Sequence, residues 1–162
     1  MSEPPRGPPP LDREWRGFGM GKIVVGVDGS AHSLAALRWA CDEARLRHDS
    51  LELVAAWSIP SATFDIASED VVQALQDAAD EAIQSARNEV ARWAPDLEVN
   101  SEVCQGQPAR ILVDRAESAE LLVLGSRGRG DFKALLLGSV SQECSHHSPV
   151  PLVIVRPVEH SA

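Results

Sequence analysis

Gly125, Gly128 and Gly130 follow directly on the apolar run LLVL, and Gly138 stands eight residues further on, ahead of Ser139, Val140 and Ser141. Glycine lacks a Cβ, so such a loop can take left-handed angles and bring backbone N–H groups against an anion. A helix opening at Gly138 would turn the unpaired amides of its first turn, and its positive dipole end, towards the same anion. Arg127 and Arg129 lie within the loop, where a small phosphate needs positive charge. The chemistry is phosphate binding and the ligand class a nucleotide. The segment has no Gly-Lys-Ser/Thr, and its order is G-x-x-G-x-G rather than G-x-G-x-x-G, which disfavours both a Walker loop and a nicotinamide-dependent enzyme.

A second candidate is Asp28, in the turn Asp28-Gly29-Ser30 that ends the apolar run KIVVGV. Aspartate at such a place can stabilise a turn or cap a helix, but a strand end is also where a sheet crevice takes its ligand. Other groups read as structural. Adjacent histidines such as His146 and His147 project in different directions from a helix and solvate its end. Trp39, Trp57 and Trp93 suit the core or an interface, and Glu69, Asp70, Asp77, Asp80 and Glu81 a wet helix face. No nucleophile, base and orienting group come together near the loop, so no catalytic residue is assigned. The three cysteines, Cys41, Cys104 and Cys144, match no metal or redox spacing and are read as reduced and mostly buried.

The elements that must position these groups alternate along the chain. Strands are expected at Lys22 to Val27, Leu51 to Trp57, Leu97 to Cys104, Leu121 to Leu124 and Val150 to Val155. Helices are expected from Ser30 or Ser33 to about Arg47, with Leu34, Leu37, Cys41 and Ala44 on the inner face, and from about Glu69 to Trp93, where Pro95 stops it. Pro108 begins a short helix, and Gly138 to about His147 forms another. This order predicts an α/β fold, a doubly wound five-stranded parallel sheet sandwiched by helices, with Asp28 and the glycine loop at strand carboxyl ends.

The chain of 162 residues, 44% of them hydrophobic, suits one domain, expected at 20–158, between a proline-rich disordered tail at 1–19 and a short tail at 159–162. The net charge of −9 argues against a nucleic-acid partner. No apolar stretch is long enough to span a bilayer, so no membrane partner is expected and the location is read as cytoplasmic.

The spacing Gly125, two residues, Gly128, nine residues, Gly138-Ser139, together with VGVDGSAHSLAALRWA and GQPARILVDRAESAELLVLGSRGRG, resembles the universal stress protein family in its nucleotide-binding branch, over roughly residues 21 to 157. The resemblance implies a Rossmann-like fold of the adenine nucleotide alpha hydrolase kind and an ATP site. Gly26 and Val27 would line the adenine side and Ala56 would pack on adenine. Leu124 and Gly125 would flank the ribose. Gly128, Gly138, Ser139, Val140 and Ser141 would hold the phosphates, with Ser126, Arg127 and Arg129 beside them. Asp28 would sit by the ribose or reach a phosphate-bound magnesium or manganese ion. The function implied is an ATP-binding stress-response module that regulates an unidentified protein partner, with no or very slow hydrolysis. A slow ATPase or phosphoryl-transfer enzyme, or a ligand-free interaction domain, are the alternatives. The last strand, 150–156, carries prolines at its ends and apolar residues between them, which predicts a sheet edge covered by its own copy in a homodimer, as the resemblance also implies.

Overall fold

The computed structural model describes residues 21–60, 67–130 and 136–158. The tails expected at 1–19 and 159–162 lie outside the described residues. The elements are β1 (Lys22–Gly26), α1 (Ala31–Arg47), β2 (Ser50–Trp57), α2 (Glu69–Trp93), β3 (Val99–Gln105), α3 (Pro108–Ala116), β4 (Leu121–Gly125), α4 (Ser139–His147) and β5 (Leu152–Val155). Every strand pairing is parallel, and the sheet order is β3-β2-β1-β4-β5. The winding reverses between β1 and β4, whose registered residues include Ile23 with Leu121 and Val25 with Val123. A crevice therefore opens past the carboxyl ends of these two strands.

The period-2 alternation of the strands divides the core in two. Ile23, Val25, Leu51, Leu53, Leu121 and Val123 face α1 and α2. Val24, Val54, Leu122 and Leu124 face α3 and α4, where Leu112 and Cys144 complete the packing. Because the central strands are covered on both sides, they read in the sequence as unbroken apolar runs.

Helix α1 is turned slightly from the expected face. Leu34 is 40% exposed, and the buried stripe is Ser33, Ala36, Leu37, Ala40, Cys41 and Ala44. The alanines at four-residue spacing have the smallest side chains, so centring the stripe on them brings the helix closest to the sheet. Strand β3 begins at Val99 because the Leu97 amide is used in a turn, donating to Ala94 O at 3.1 Å. Strand β5 begins at Leu152, since Pro151 has no amide to give the ladder. It is the sheet edge that its prolines predict.

One charged side chain enters the sheet. Glu52 of β2 is 8% exposed and faces the α3 side. Lys22 of β1 bonds its Oε2, Arg115 of α3 reaches its Oε1 at 3.2 Å, and Arg115 also bonds Glu102 of β3. The pairing compensates a charge that would be costly if left alone. No helix among the described residues is long and apolar enough to cross a membrane.

Candidate functional site

The turn after β1 is held by its own short side chains. Ser30 caps α1 by accepting the Ser33 amide at 3.1 Å, and the Ser33 hydroxyl returns a bond to Ser30 O at 3.1 Å. The Ser30 amide donates to Asp28 Oδ1 at 2.9 Å, an Asx turn that occupies one oxygen of the carboxylate. Gly29 has φ of +79°, a left-handed angle that favours glycine. A Cβ at Gly29 would also meet the Arg129 guanidinium at 2.7 Å, so this arginine of the second loop lies across the first.

The second loop leaves β4 at Gly125 and returns at Gly138. Gly138 has extended angles, φ −71° and ψ 163°, and caps α4 without a side-chain bond. Its amide donates to Ser126 O at 2.7 Å, which fixes the spacing between the loop's start and the helix. Within α4 the first amide shown to close a helical bond is that of Gln142, to Gly138 O at 2.9 Å. The amides of Ser139, Val140 and Ser141 precede it and have no intrahelical carbonyl to bond.

These two loops and the walls behind them enclose a cavity of about 470 Å³, a volume typical of small-molecule sites. One half is apolar: Val54, Ala56, Leu112, Leu124 and Pro108 line it. The other half is glycine backbone and the start of α4, with Arg127 and Arg129 supplying positive charge and Asp28 negative charge. An amphipathic cavity of this kind accepts a flat apolar group at one end and an anion at the other.

Of the residues expected from the sequence, Gly26 and Ala56 line the cavity from the ends of β1 and β2, and Val27 and Asp28 from the turn after β1. Leu124, Gly125, Arg127, Gly128 and Arg129 line it from the glycine loop, and Gly138, Ser139, Val140 and Ser141 from the helix. Ser126 is placed differently: it is 1% exposed and turned away, its hydroxyl 2.9 Å from His32 Nδ1. Ser141 lines the wall with its hydroxyl already donated to Gly125 O at 2.7 Å, leaving its backbone amide for a ligand. Gly130, the third glycine of the loop, lines the cavity as well, and so do Ser33, Val54, Pro108 and Leu112, which the sequence does not single out for the site. Val54 was within reach of sequence reasoning, since it lies two residues before Ala56 on the same face of β2. Leu112 follows Pro108 by one helical turn and shares its face.

No cluster of three or more histidine, cysteine, aspartate or glutamate side chains that could hold a metal occurs among the described residues. Asp28 is a single carboxylate. That suits magnesium, which is commonly held by one or two carboxylates together with substrate phosphates and water.

Residues 20–156 match the universal stress protein family. The chain belongs to that family. A universal stress protein of Mycobacterium tuberculosis is 36% identical over 143 residues, covering 83% of this chain and 45% of the relative. The chain thus spans about half the length of the curated relatives it matches. Among solved universal stress proteins, UspA from Lactobacillus plantarum superposes with a TM-score of 0.72 at 21% identity, over 86% of this chain and all of that one. A universal stress protein in complex with cAMP is 29% identical, with a TM-score of 0.63 over 83% of this chain and 96% of that one. The universal stress protein fold accounts for the strand order, and the family's glycine spacing falls on the cavity wall.

Proposed function

We propose that this universal stress protein binds ATP and acts as a nucleotide-dependent regulatory module with no or very slow hydrolysis. The observation that carries the reading is the two-ended cavity: apolar walls from β2, α3 and β4 at one end, glycine backbone and the amide end of α4 at the other. The apolar end suits adenine, and the amides with Arg127 and Arg129 suit phosphates. Asp28 would reach a magnesium or manganese ion carried by the phosphates, and that ion would neutralise part of their charge. The way the nearby hydroxyls are used disfavours phosphoryl transfer to a serine, whereas attack by water needs none of them. Ser33 and Ser141 donate to backbone carbonyls, and Ser126 is bonded to His32 beneath the loop. Ser126 with His32 is a serine beside a base, but at 1% exposure its hydroxyl is turned away from the cavity and from any ligand there.

The cAMP complex of the 29% identical relative favours a second reading, a nucleoside monophosphate as the physiological ligand. Titration calorimetry with ATP, AMP and cAMP, each with and without magnesium, separates the two. ATP bound more tightly than AMP and cAMP, and more tightly with magnesium, supports the proposal. A preference for AMP or cAMP replaces ATP with a monophosphate, and no heat with any of them leaves a ligand-free interaction domain. Phosphate release that keeps pace with added ATP would make the protein an ATPase. We place the module in the cytoplasm, as a homodimer paired through β5 that signals to a protein partner.

A further inference from the structure

Ser126 stands between two cavity-lining residues, Gly125 and Arg127, yet it is almost wholly buried. Each of its polar groups engages a different element. Its amide donates to Val155 O of β5 at 2.8 Å, and its carbonyl accepts the Gly138 amide, the cap of α4, at 2.7 Å. Its hydroxyl shares a hydrogen bond of 2.9 Å with Nδ1 of His32, in the first turn of α1. The His32 backbone also lies directly against Gly125, where a Cβ would be 2.5 Å from the histidine carbonyl carbon and 2.7 Å from its oxygen. The glycine loop thus leaves the sheet by pressing on α1 at His32, whose side chain bonds the next residue along.

We propose that His32 is a positioning residue for the nucleotide site: through Ser126 it sets the separation between the glycine loop and the amide end of α4. The proposal rests on the nucleotide reading above. A glycine-rich loop has more backbone freedom to lose than any other, so a site built from it gains most from an anchor that orders it before the ligand arrives. His32 supplies that anchor from outside the loop, on a helix seated in the core. Without the imidazole, the Ser126 hydroxyl is left buried and unpaired, and the strain is relieved by moving Ser126. The same movement disturbs its carbonyl bond to Gly138 and its amide bond to β5, so the phosphate end of the cavity and the sheet edge respond together.

The test compares His32→Ala with His32→Asn, whose amide can bond the Ser126 hydroxyl from near the Nδ1 position. Hydrogen exchange is followed by NMR in the nucleotide-free protein, and ATP binding by calorimetry. In His32→Ala, exchange at the Gly138 and Ser126 amides should quicken about tenfold while Val25 in β1 keeps its protection, and ATP affinity should fall about tenfold, the scale of one hydrogen bond. His32→Asn should restore both to within about twofold, as a shared bond allows. Unchanged exchange at Gly138, or a loss of protection spread equally to Val25, overturns the proposal, the latter by showing a general structural role. ATP affinity unchanged in His32→Ala overturns it too. If the parent protein binds no ATP, the nucleotide reading fails by itself, and the exchange pattern still decides whether His32 positions the loop.

Discussion

Gly128 rests against Asp28: a Cβ added to the glycine would stand 2.7 Å from the aspartate Oδ2. The two loops meet across the cavity mouth with less room than a methyl group needs. Gly128→Glu would put a second carboxylate there, facing the first and the phosphates alike. ATP binding should fall beyond detection by calorimetry, while the melting temperature stays within a few degrees because Gly128 is on the exposed side of its loop. Parental affinity in this variant would remove the glycine loop from the binding site.

Asp28 has an observed job in the turn and a proposed one beside the metal-bound phosphates, and different substitutions separate them. Asp28→Asn keeps the oxygen that accepts the Ser30 amide and removes the charge; Asp28→Ala removes both. The alanine variant should lose about 1 kcal/mol of stability, the size of a lost turn or cap bond, and the asparagine variant less. Both should bind magnesium-ATP more weakly than the parent. Without metal the asparagine variant should bind ATP at least as well, since a repelling charge has gone. Identical affinities for parent and asparagine variant in both conditions would make Asp28 a turn residue alone.

The outer edge of β5 should pair with its copy. The carbonyls of Pro151 and Val155 accept from β4, so the alternation points the amides of Leu152 and Ile154 outwards. Light scattering should give twice the chain mass. Ile154→Pro removes one outward amide and leaves the bonds to β4, and should yield a monomer with a similar melting curve. Val153→Asp is less selective, because Val153 packs against the core. A parent that remains monomeric at high micromolar concentration would end the edge-pairing proposal.

Burial pushes the thiols of Cys41 and Cys144 up to about 11 from 9.0, and that of Cys104 upwards as well. Folding binds the Cys41 and Cys144 protons more tightly than the unfolded chain does. The resulting stability is therefore fully present below pH 9 and is lost as pH rises towards 11. Melting temperature should be insensitive to these thiols at neutral pH and fall across that alkaline window. An aromatic disulfide reagent at pH 7.5 should label the half-buried Cys104 first, and the other two at the rate of unfolding. Prompt labelling of all three would contradict this burial.

Much of this architecture was legible because the central strands are covered on both faces and so declare themselves as apolar runs. Val24 and Leu122 need no partner in the sequence to look buried. The orientation of α1 was harder, because Leu34 is more hydrophobic than Ala36 and Ala40, yet closeness of approach decides the face. The strand ends that border the cavity could be located from the position of turns. Ser126 could not be placed: it sits in the middle of a glycine loop, and what turns it inward is a histidine 94 residues away. Spacing along a chain carries no sign of such a contact. The sequence offers Ser30 or Ser33 as the cap of α1; Ser30 is the cap, and Ser33, whose amide it accepts, is brought by the same turn to the cavity wall.

The ion group around Glu52 also bears on how β2 finds its place. Sliding β2 by one residue along β1 would turn Glu52 to the face of Leu37 and Ala40, away from Lys22 and Arg115. A lone buried carboxylate on that face is costly enough to reject the misaligned sheet, whereas a leucine there would be welcome in either alignment. Glu52→Leu should consequently melt no lower than the parent, yet refold with an added slow phase as wrong alignments form and dissolve. The buried glutamate acts as a proofreader of strand alignment.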